Sequence, residues 1–400
     1  MVGVLFEPDA NTLQREHIIK TIYDPCCGTG GMLSAGKDHV LGKINPKASI
    51  FAYGQEINPI TYAICKADML MKGEDADHIK GGDKDHSLSS TLSNDQFLDL
   101  KFDYILANPP YGVDWKKDKE AVEQEAERGF AGRFGAGLPR SSDGQLLFLQ
   151  HMVSKMRNPS EGGARVGVVF NGSPLFTGDA GSGESEIRRW VCENDYLEAI
   201  IALPDQLFYN TGISTYIWVL SNRKDAKRKN KVQLIDARTF FKKMRKSLGN
   251  KRHEIGSNDI KSICEIYHEF SESEFSKIFK STDFAFRQIT IERPLLDENG
   301  KPVCDKSGKP KADSSLRDTE NVPYDEDVYA YFEREVKPFV PDAWIDESKR
   351  DQKDGKVGKV GYEFPLTRYF YKYEPPRSLE VIETDIEKVE NELLELMKRL

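Results

Sequence analysis

Short apolar runs centred near Ile22, Phe51, Ile79, Tyr104, Val168, Ile200, Ile217 and Leu234 predict eight strands. Gln145 to Met156 and Glu184 to Glu193 carry helical spacing and read as crossover helices, so the path is α/β up to about Arg238. The run Tyr104-Ile105-Leu106-Ala107 has no polar face and predicts a buried strand of a parallel sheet. From Gly256 to about Phe286 the pattern is helical, with aromatics at Tyr267, Phe270, Phe275 and Phe279. Leu296 to Asp318 is a polar spacer with Asn299-Gly300 and Ser307-Gly308 turns, and Val322 to Tyr373 reads as a compact aromatic region. The tail is periodic: Leu379, Ile382, Ile386, Val389, Leu393, Leu396 and Leu400 form an a/d seam, with Ser378 as N-cap after Pro375-Pro376. A helix ending on such a seam is expected to dock on another helix rather than fold back.

Candidate chemistry lies where strands stop. The fourth run ends in Asn108-Pro109-Pro110-Tyr111. Neither proline can donate to a sheet ladder, so the ladder ends there and the backbone stiffens. An amide, a rigid carbonyl and an aromatic ring at a carboxyl edge suit a planar amino group: carbonyls accept its hydrogens and the ring stacks on its face. The first run ends in Asp24-Pro25-Cys26-Cys27-Gly28-Thr29-Gly30-Gly31, a glycine-rich turn before a helix whose free N–H groups suit a carboxylate. The second ends in Glu56, placed to meet ribose hydroxyls, although the 32 residues from Asp24 to Glu56 exceed the roughly 20 of the dinucleotide fingerprint. Ile79-Lys80-Gly81-Gly82-Asp83 adds an acid after a third strand.

Taken together, these segments resemble the modification (methyltransferase) subunit of type I restriction–modification systems, of the N6-adenine DNA methylase family. DPCCGTGGML, GQEINP and FDYILANPPYG are similar to its catalytic motifs. Leu197 to Pro204, Leu207 to Ile213 and Thr215 to Leu220 are similar to its later strands, and Val232 to Arg238 is typical of it. The resemblance implies a Rossmann-like α/β fold of the S-adenosylmethionine-dependent methyltransferases, with an α-rich C-terminal extension and a terminal heptad helix. It implies methyl transfer from S-adenosyl-L-methionine to the 6-amino group of a flipped adenine. Catalysis would fall to Asn108, Pro109, Pro110 and Tyr111, and cofactor binding to Asp24, Gly28, Thr29, Gly30, Glu56 and Asp83, with no metal. The implied partners are double-stranded DNA, a specificity subunit held by the C-terminal helix, a restriction subunit and a second modification subunit. The expected division is a methyltransferase domain over 1–255, an extension over 256–374 and a partner-binding helix over 375–400.

One departure stands out. The family carries an upstream Tyr-Thr-Pro or Phe-Thr-Pro segment that holds the methionine end of the cofactor, and a helical N-terminal domain; neither precedes Asp24 here. The expectation is a truncated chain. A non-catalytic subunit retaining fold and partner contacts is therefore an alternative, and a protein or RNA amino-methyltransferase using the same tetrapeptide is a third.

Composition fits a cytoplasmic protein: 38% hydrophobic residues supply a large core, and no apolar run approaches the roughly 18 residues of a membrane span. The six cysteines contain no C-x-x-C pair, which argues against zinc; Cys26 and Cys27 are expected to pack against the cofactor as reduced thiols. A net charge of −8 argues against a free-standing DNA binder, yet Arg223 to Arg252 holds thirteen Lys or Arg against Asp225 and Asp236, a balance of +11. That run fits either DNA phosphates or a solvated loop. Trp115 to Asp143, long, charged and glycine-bearing, is expected to be a lid or DNA-facing flap, disordered when empty.

Overall fold

All eight apolar runs are strands: β1 (Ile19–Asp24), β2 (Ser49–Glu56), β3 (Ile79–Gly81), β4 (Tyr104–Ala107), β5 (Arg165–Asn171), β6 (Leu197–Ala202), β7 (Thr215–Ser221) and β8 (Lys231–Asp236). Seven more follow: β9 (Lys242–Leu248), β10 (Lys251–Glu254), β11 (Ser276–Lys280), β12 (Ala285–Glu292), β13 (Asp318–Pro323), β14 (Trp344–Ile345) and β15 (Lys359–Tyr362). The computed structural model describes residues 1–209, 211–373 and 378–398, without the side chains of 395 and 396. Met1–Leu366 form one compact unit and Thr367–Leu400 a second.

The central sheet has the order β11-β8-β6-β7-β5-β4-β1-β2-β3. β1 to β5 are mutually parallel, β7 runs against both β5 and β6, and β8 is parallel to β6. The carboxyl ends of β1 to β6 and of β8 therefore share one edge. Every residue of β4 is buried, because β1 and β5 flank it and helices cover it, as its unbroken apolar run requires. The expected crossover helices are Gln145–Ser154 and Gly183–Glu193.

The N-terminal segment contributes to this core. Val4, Leu5 and Phe6, on the short helix Val2–Phe6, are buried. A Cβ at Gly167 in β5 would lie 2.7 Å from Leu5 Cδ1, so this helix seats directly on the strand backbone. Asp9 behind it accepts from the Tyr104 hydroxyl (2.7 Å) and from Arg223 Nη1 (2.8 Å).

Four expectations need correction. The helix begun at Ser257 ends at Glu269, where Phe270 turns left-handed (φ +50°). The chain then becomes strand: Ala285–Glu292 alternates buried and half-buried positions with period two, which a helix cannot satisfy. The extension is accordingly mixed rather than α-rich, since β12 pairs antiparallel with β13, β14 and β15 over its own small core around Ile289, Val322 and Phe332. Trp115 to Asp143 is packed rather than a free flap. Trp115, Val122 and Phe134 bury together with Leu92 and Leu147. Arg133 pairs with Glu125 and donates to the Thr91 (2.7 Å) and Leu92 (2.9 Å) carbonyls. Finally, Leu207 to Tyr209 and Thr211 to Ile213 are loop at the carboxyl edge, not strand; Asn210 lies outside the described residues.

In the second unit, Leu379–Met397 is a helix, and the Ser378 hydroxyl accepts from Val381 N (3.4 Å) as the expected cap. Leu379, Ile386, Val389 and Leu393 of the seam are exposed. Pro375, Pro376, the Leu396 side chain and Leu400 lie outside the described residues. Among the described residues no helix is long and apolar enough to cross a membrane.

Candidate active site

The glycine-rich turn after β1 is held by the acid after β2. Glu56, 7% exposed, accepts from Gly28 N through Oε2 (2.7 Å) and from Asn58 N through Oε1 (2.7 Å). One carboxylate thereby fixes both strand-to-helix turns. Asn58 in turn caps the helix Pro59–Met71, whose first residue is proline. Gly30 takes φ +83°, and a Cβ there would lie 2.9 Å from Cys65 Sγ, so only glycine fits between turn and helix. Around Gly28 and Gly31 the opposite holds: a Cβ would meet nothing within 4 Å. The turn thus faces open space on one side, with the N-terminus of the helix Gly31–His39 behind it. Thr29 is exposed at its crest.

Asp24 is 2% exposed and accepts from Cys26 N (3.0 Å). Burial pushes its carboxyl up to about 7; the Cys26 hydrogen bonds oppose the rise and the Glu56 charge adds to it. Burial, then Asp24, pushes the Cys26 thiol well up, while a hydrogen bond from the Asn108 backbone N–H opposes this. Cys26 therefore joins the glycine turn to the motif after β4. Cys27 points the other way, against Gly54 and Cys65, and the thiol contact with Cys65 together with burial pushes it up.

At the end of β4, Asn108 is exposed, Pro109 buried and Pro110 exposed. The Tyr111 hydroxyl donates to Asn108 Oδ1. Burial raises the Tyr111 phenol, the nearby Cys26 adds to this and the Asn108 bond opposes it, so the ring stays neutral. Its centroid lies 6.2 Å from Phe208, edge to face. Because β1 pairs with β4 as well as with β2, the glycine turn, Glu56 and Asn108–Tyr111 come together on adjacent strand ends. Asp83 reaches the same edge, since Gly82 N donates to the Glu56 carbonyl (2.9 Å). Its own carboxylate is exposed and accepts from Asp85 N (2.9 Å) within its loop.

A sequence model of the N-6 DNA Methylase family matches residues 10–291. The chain belongs to this family. All the motif residues from Asp24 to Tyr111 and β6 to β8 fall within the match. The chain is similar to the type I restriction enzyme MjaIX methylase subunit of Methanocaldococcus jannaschii, at 26% identity over 265 residues, 66% of this chain and 44% of that protein. It is also similar to the HindI methylase subunit of Haemophilus influenzae, at 29% over 254 residues, 63% of this chain and 52% of that one. The chain spans about half the length of the curated relatives it matches. Among solved structures, the type I restriction–modification methyltransferase subunit from Streptococcus thermophilus superposes with a TM-score of 0.56 at 21% identity, covering 71% of this chain and 55% of that one. The chain therefore has the Rossmann-like α/β fold that it shares with this methyltransferase subunit.

Three residues of this edge escape a reading by motif. Gln55, fully buried, donates to the Asn94 (2.7 Å) and Ser89 (3.1 Å) carbonyls and accepts from Gln96 N (3.2 Å), pinning the segment after Asp83. Thr91 donates to the Pro25 carbonyl (2.5 Å) and braces the glycine turn. Phe208 backs Tyr111. A polar residue one position before the acid of a buried strand was a usable signal for Gln55. Thr91 and Phe208 act through pairings distant in sequence and left none.

Proposed function

We propose that this chain transfers a methyl group from S-adenosyl-L-methionine to the 6-amino group of adenine in DNA, as the modification component of a type I restriction–modification assembly. The observation that carries the reading is the meeting of Asn108–Tyr111 with the Gly28–Glu56 pair on adjacent strand ends. The cofactor fits this edge. Gly28 and Gly31 leave open space, Thr29 is exposed, and the acids Asp24 and Glu56 stand beside the turn. Gly28, Thr29, Gly30 and Glu56 would hold it, with Asp24 and Asp83 near it. When bound, S-adenosylmethionine supplies an activated methyl group on a positive sulfur.

The chain's own residues then act on the base. An adenine must leave the duplex stack to reach them, since its amino group is otherwise paired. Its amino lone pair is delocalised into the ring. Asn108 Oδ1 and the Pro109 carbonyl accept the two amino hydrogens and draw the nitrogen toward tetrahedral. Asn108 Oδ1 already accepts the Tyr111 hydroxyl and keeps a second lone pair. Tyr111, neutral and backed by Phe208, stacks on the base. Positioning and electrostatics suffice for the transfer, and the amino nitrogen, once methylated, loses one of its two protons to solvent, so no dedicated general base is needed.

Sequence reading is assigned to a specificity subunit, docked through the exposed seam of Leu379–Met397, alongside a restriction subunit and a second modification subunit. Asn108→Ala tests the chemistry. Losing one positioned acceptor costs roughly 3 kcal/mol, on the order of a hundredfold in rate. Tritiated-methyl incorporation into DNA should fall accordingly, with calorimetric affinity for the cofactor retained. Full activity in the variant would exclude the mechanism.

A further inference from the structure

The basic run that begins at Arg223 divides in two. In its first half four cations are structural: Arg223 pairs with Asp9, Lys224 with Asp195, Arg228 with Glu198 and Arg238 with Asp236, while Lys227, Lys229 and Lys231 are exposed. The second half is an antiparallel ribbon, β9 paired with β10. It carries Lys242, Lys243, Arg245, Lys246, Lys251 and Arg252, and within it Glu254 is the one acid. Lys242, Lys243, Arg245 and Lys246 are exposed, and among the described residues none has an ion-pair partner within 4.0 Å. Strand neighbours point to opposite faces, so the charge stands on both sides of the ribbon.

The ribbon is fastened beside the active edge. It follows β8, whose carboxyl end shares the edge with β4. His253 at its root contacts Asp205 (Nδ1 to O, 3.0 Å), and Arg252 N donates to the Gln206 carbonyl (2.9 Å). At its turn Asn250 N donates to the Tyr209 carbonyl (2.9 Å), and Lys251 Nζ lies 5.0 Å from the Tyr209 ring. Tyr209 adjoins Phe208, the residue that backs Tyr111. The ribbon and the candidate catalytic ring therefore share one loop, 204–209.

A two-stranded ribbon is marginal alone, and neighbouring like charges weaken it further. Neither core burial nor internal pairing accounts for these four cations. We propose that the β9–β10 ribbon is an arm that binds the phosphates of duplex DNA beside the base presented to Asn108 and Tyr111. The inference rests on the DNA-methyltransferase reading and adds to it the surface that meets the backbone. Lysine-rich, point-charge contacts position a duplex without reading its sequence, consistent with recognition delegated to another subunit.

The test compares the full chain with its Lys242→Gln/Lys243→Gln/Arg245→Gln/Lys246→Gln variant. A fluorescently labelled DNA duplex of arbitrary sequence is titrated at increasing potassium chloride. Each lost phosphate contact lowers the slope of log K against log salt by about 0.9, so the slope should fall by about three to four. Affinity at low salt should drop by at least about tenfold. A Lys242→Arg/Lys243→Arg/Lys246→Arg variant should keep both, and calorimetric affinity for S-adenosylmethionine should be unchanged in all three proteins. An unchanged slope in the neutral variant overturns the arm while leaving the methyltransferase reading intact. So does cofactor binding without any duplex binding by the wild-type chain. Tighter binding of an RNA duplex through the same cations would overturn the assignment to DNA. Absence of cofactor binding would instead strike the underlying reading.

Discussion

Glu56 spends both carboxylate oxygens on backbone N–H groups, one in each strand-to-helix turn. Hydrogen bonds to a charged group contribute about 1.5–3 kcal/mol each. Glu56→Gln must turn an amide toward one of those N–H groups, and cofactor affinity measured by calorimetry should fall about tenfold to a hundredfold. Equal affinity would remove Glu56 from the site. Asp24 makes a pH-dependent prediction. Its folded pKa, about 7, lies above the ordinary carboxylate value, so the native state binds a proton that the unfolded chain has lost. The stability contributed by that proton is present at low pH, is lost as pH rises toward about 7, and changes no further above it. A cationic cofactor beside Asp24 favours the ionised form, so binding below neutral pH should release a proton and affinity should rise toward pH 7. Calorimetry in buffers of different ionisation enthalpy reads that proton. Binding that neither releases it nor strengthens with pH would place the sulfonium away from Asp24. Asp24, Glu56 and Asn108 were legible because each closes an apolar run. The Cys26 contact with the Asn108 N–H was not, because it joins two segments that the sequence leaves far apart.

The central strands were legible for a physical reason: β4 to β7 are buried along nearly their whole length, and burial on both faces writes a near-continuous apolar run into each. Elements that were missed hide their apolar residues. Trp115, Val122 and Phe134 are scattered through a charged segment, yet they bury together once Arg133 ties Glu125 to the Thr91 and Leu92 carbonyls. The helix Val2–Phe6 is too short for a period to register. Ala285–Glu292 alternates with period two, but Arg287 and Glu292 occupy buried positions and blur the pattern. Packing of residues 115–143 predicts that Arg133→Ala loosens this segment alone. Breaking the partly buried pair costs on the order of 2–3 kcal/mol and leaves Glu125 unpaired. Limited proteolysis should then accelerate between Glu127 and Ala136 while the central sheet keeps its far-ultraviolet signature. Unchanged cleavage would mean that the segment holds without Arg133.

At the scale of the molecule, the net charge of −8 conceals a division of labour, with buried pairs inside and four exposed cations on the β9–β10 ribbon that, among the described residues, have no ion-pair partner. The second unit presents Ile386 at 53% and Leu393 at 55% exposure on one helix. An isolated helix of this length is marginal in water, and the proposed function gives this seam a specificity subunit to pack on. Ile386→Asp with Leu393→Asp should abolish co-purification with the specificity subunit while cofactor affinity is retained; an undisturbed complex would place the joint elsewhere. The central claim is that this edge methylates adenine in DNA. The direct measurement assembles the chain with the proposed specificity subunit, supplies S-adenosylmethionine labelled in the methyl group and duplex DNA, and digests the DNA to nucleosides. The account predicts label in N6-methyldeoxyadenosine and nearly none with Asn108→Ala. Label in another nucleoside, in RNA or in protein, or none despite bound cofactor and DNA, would contradict it.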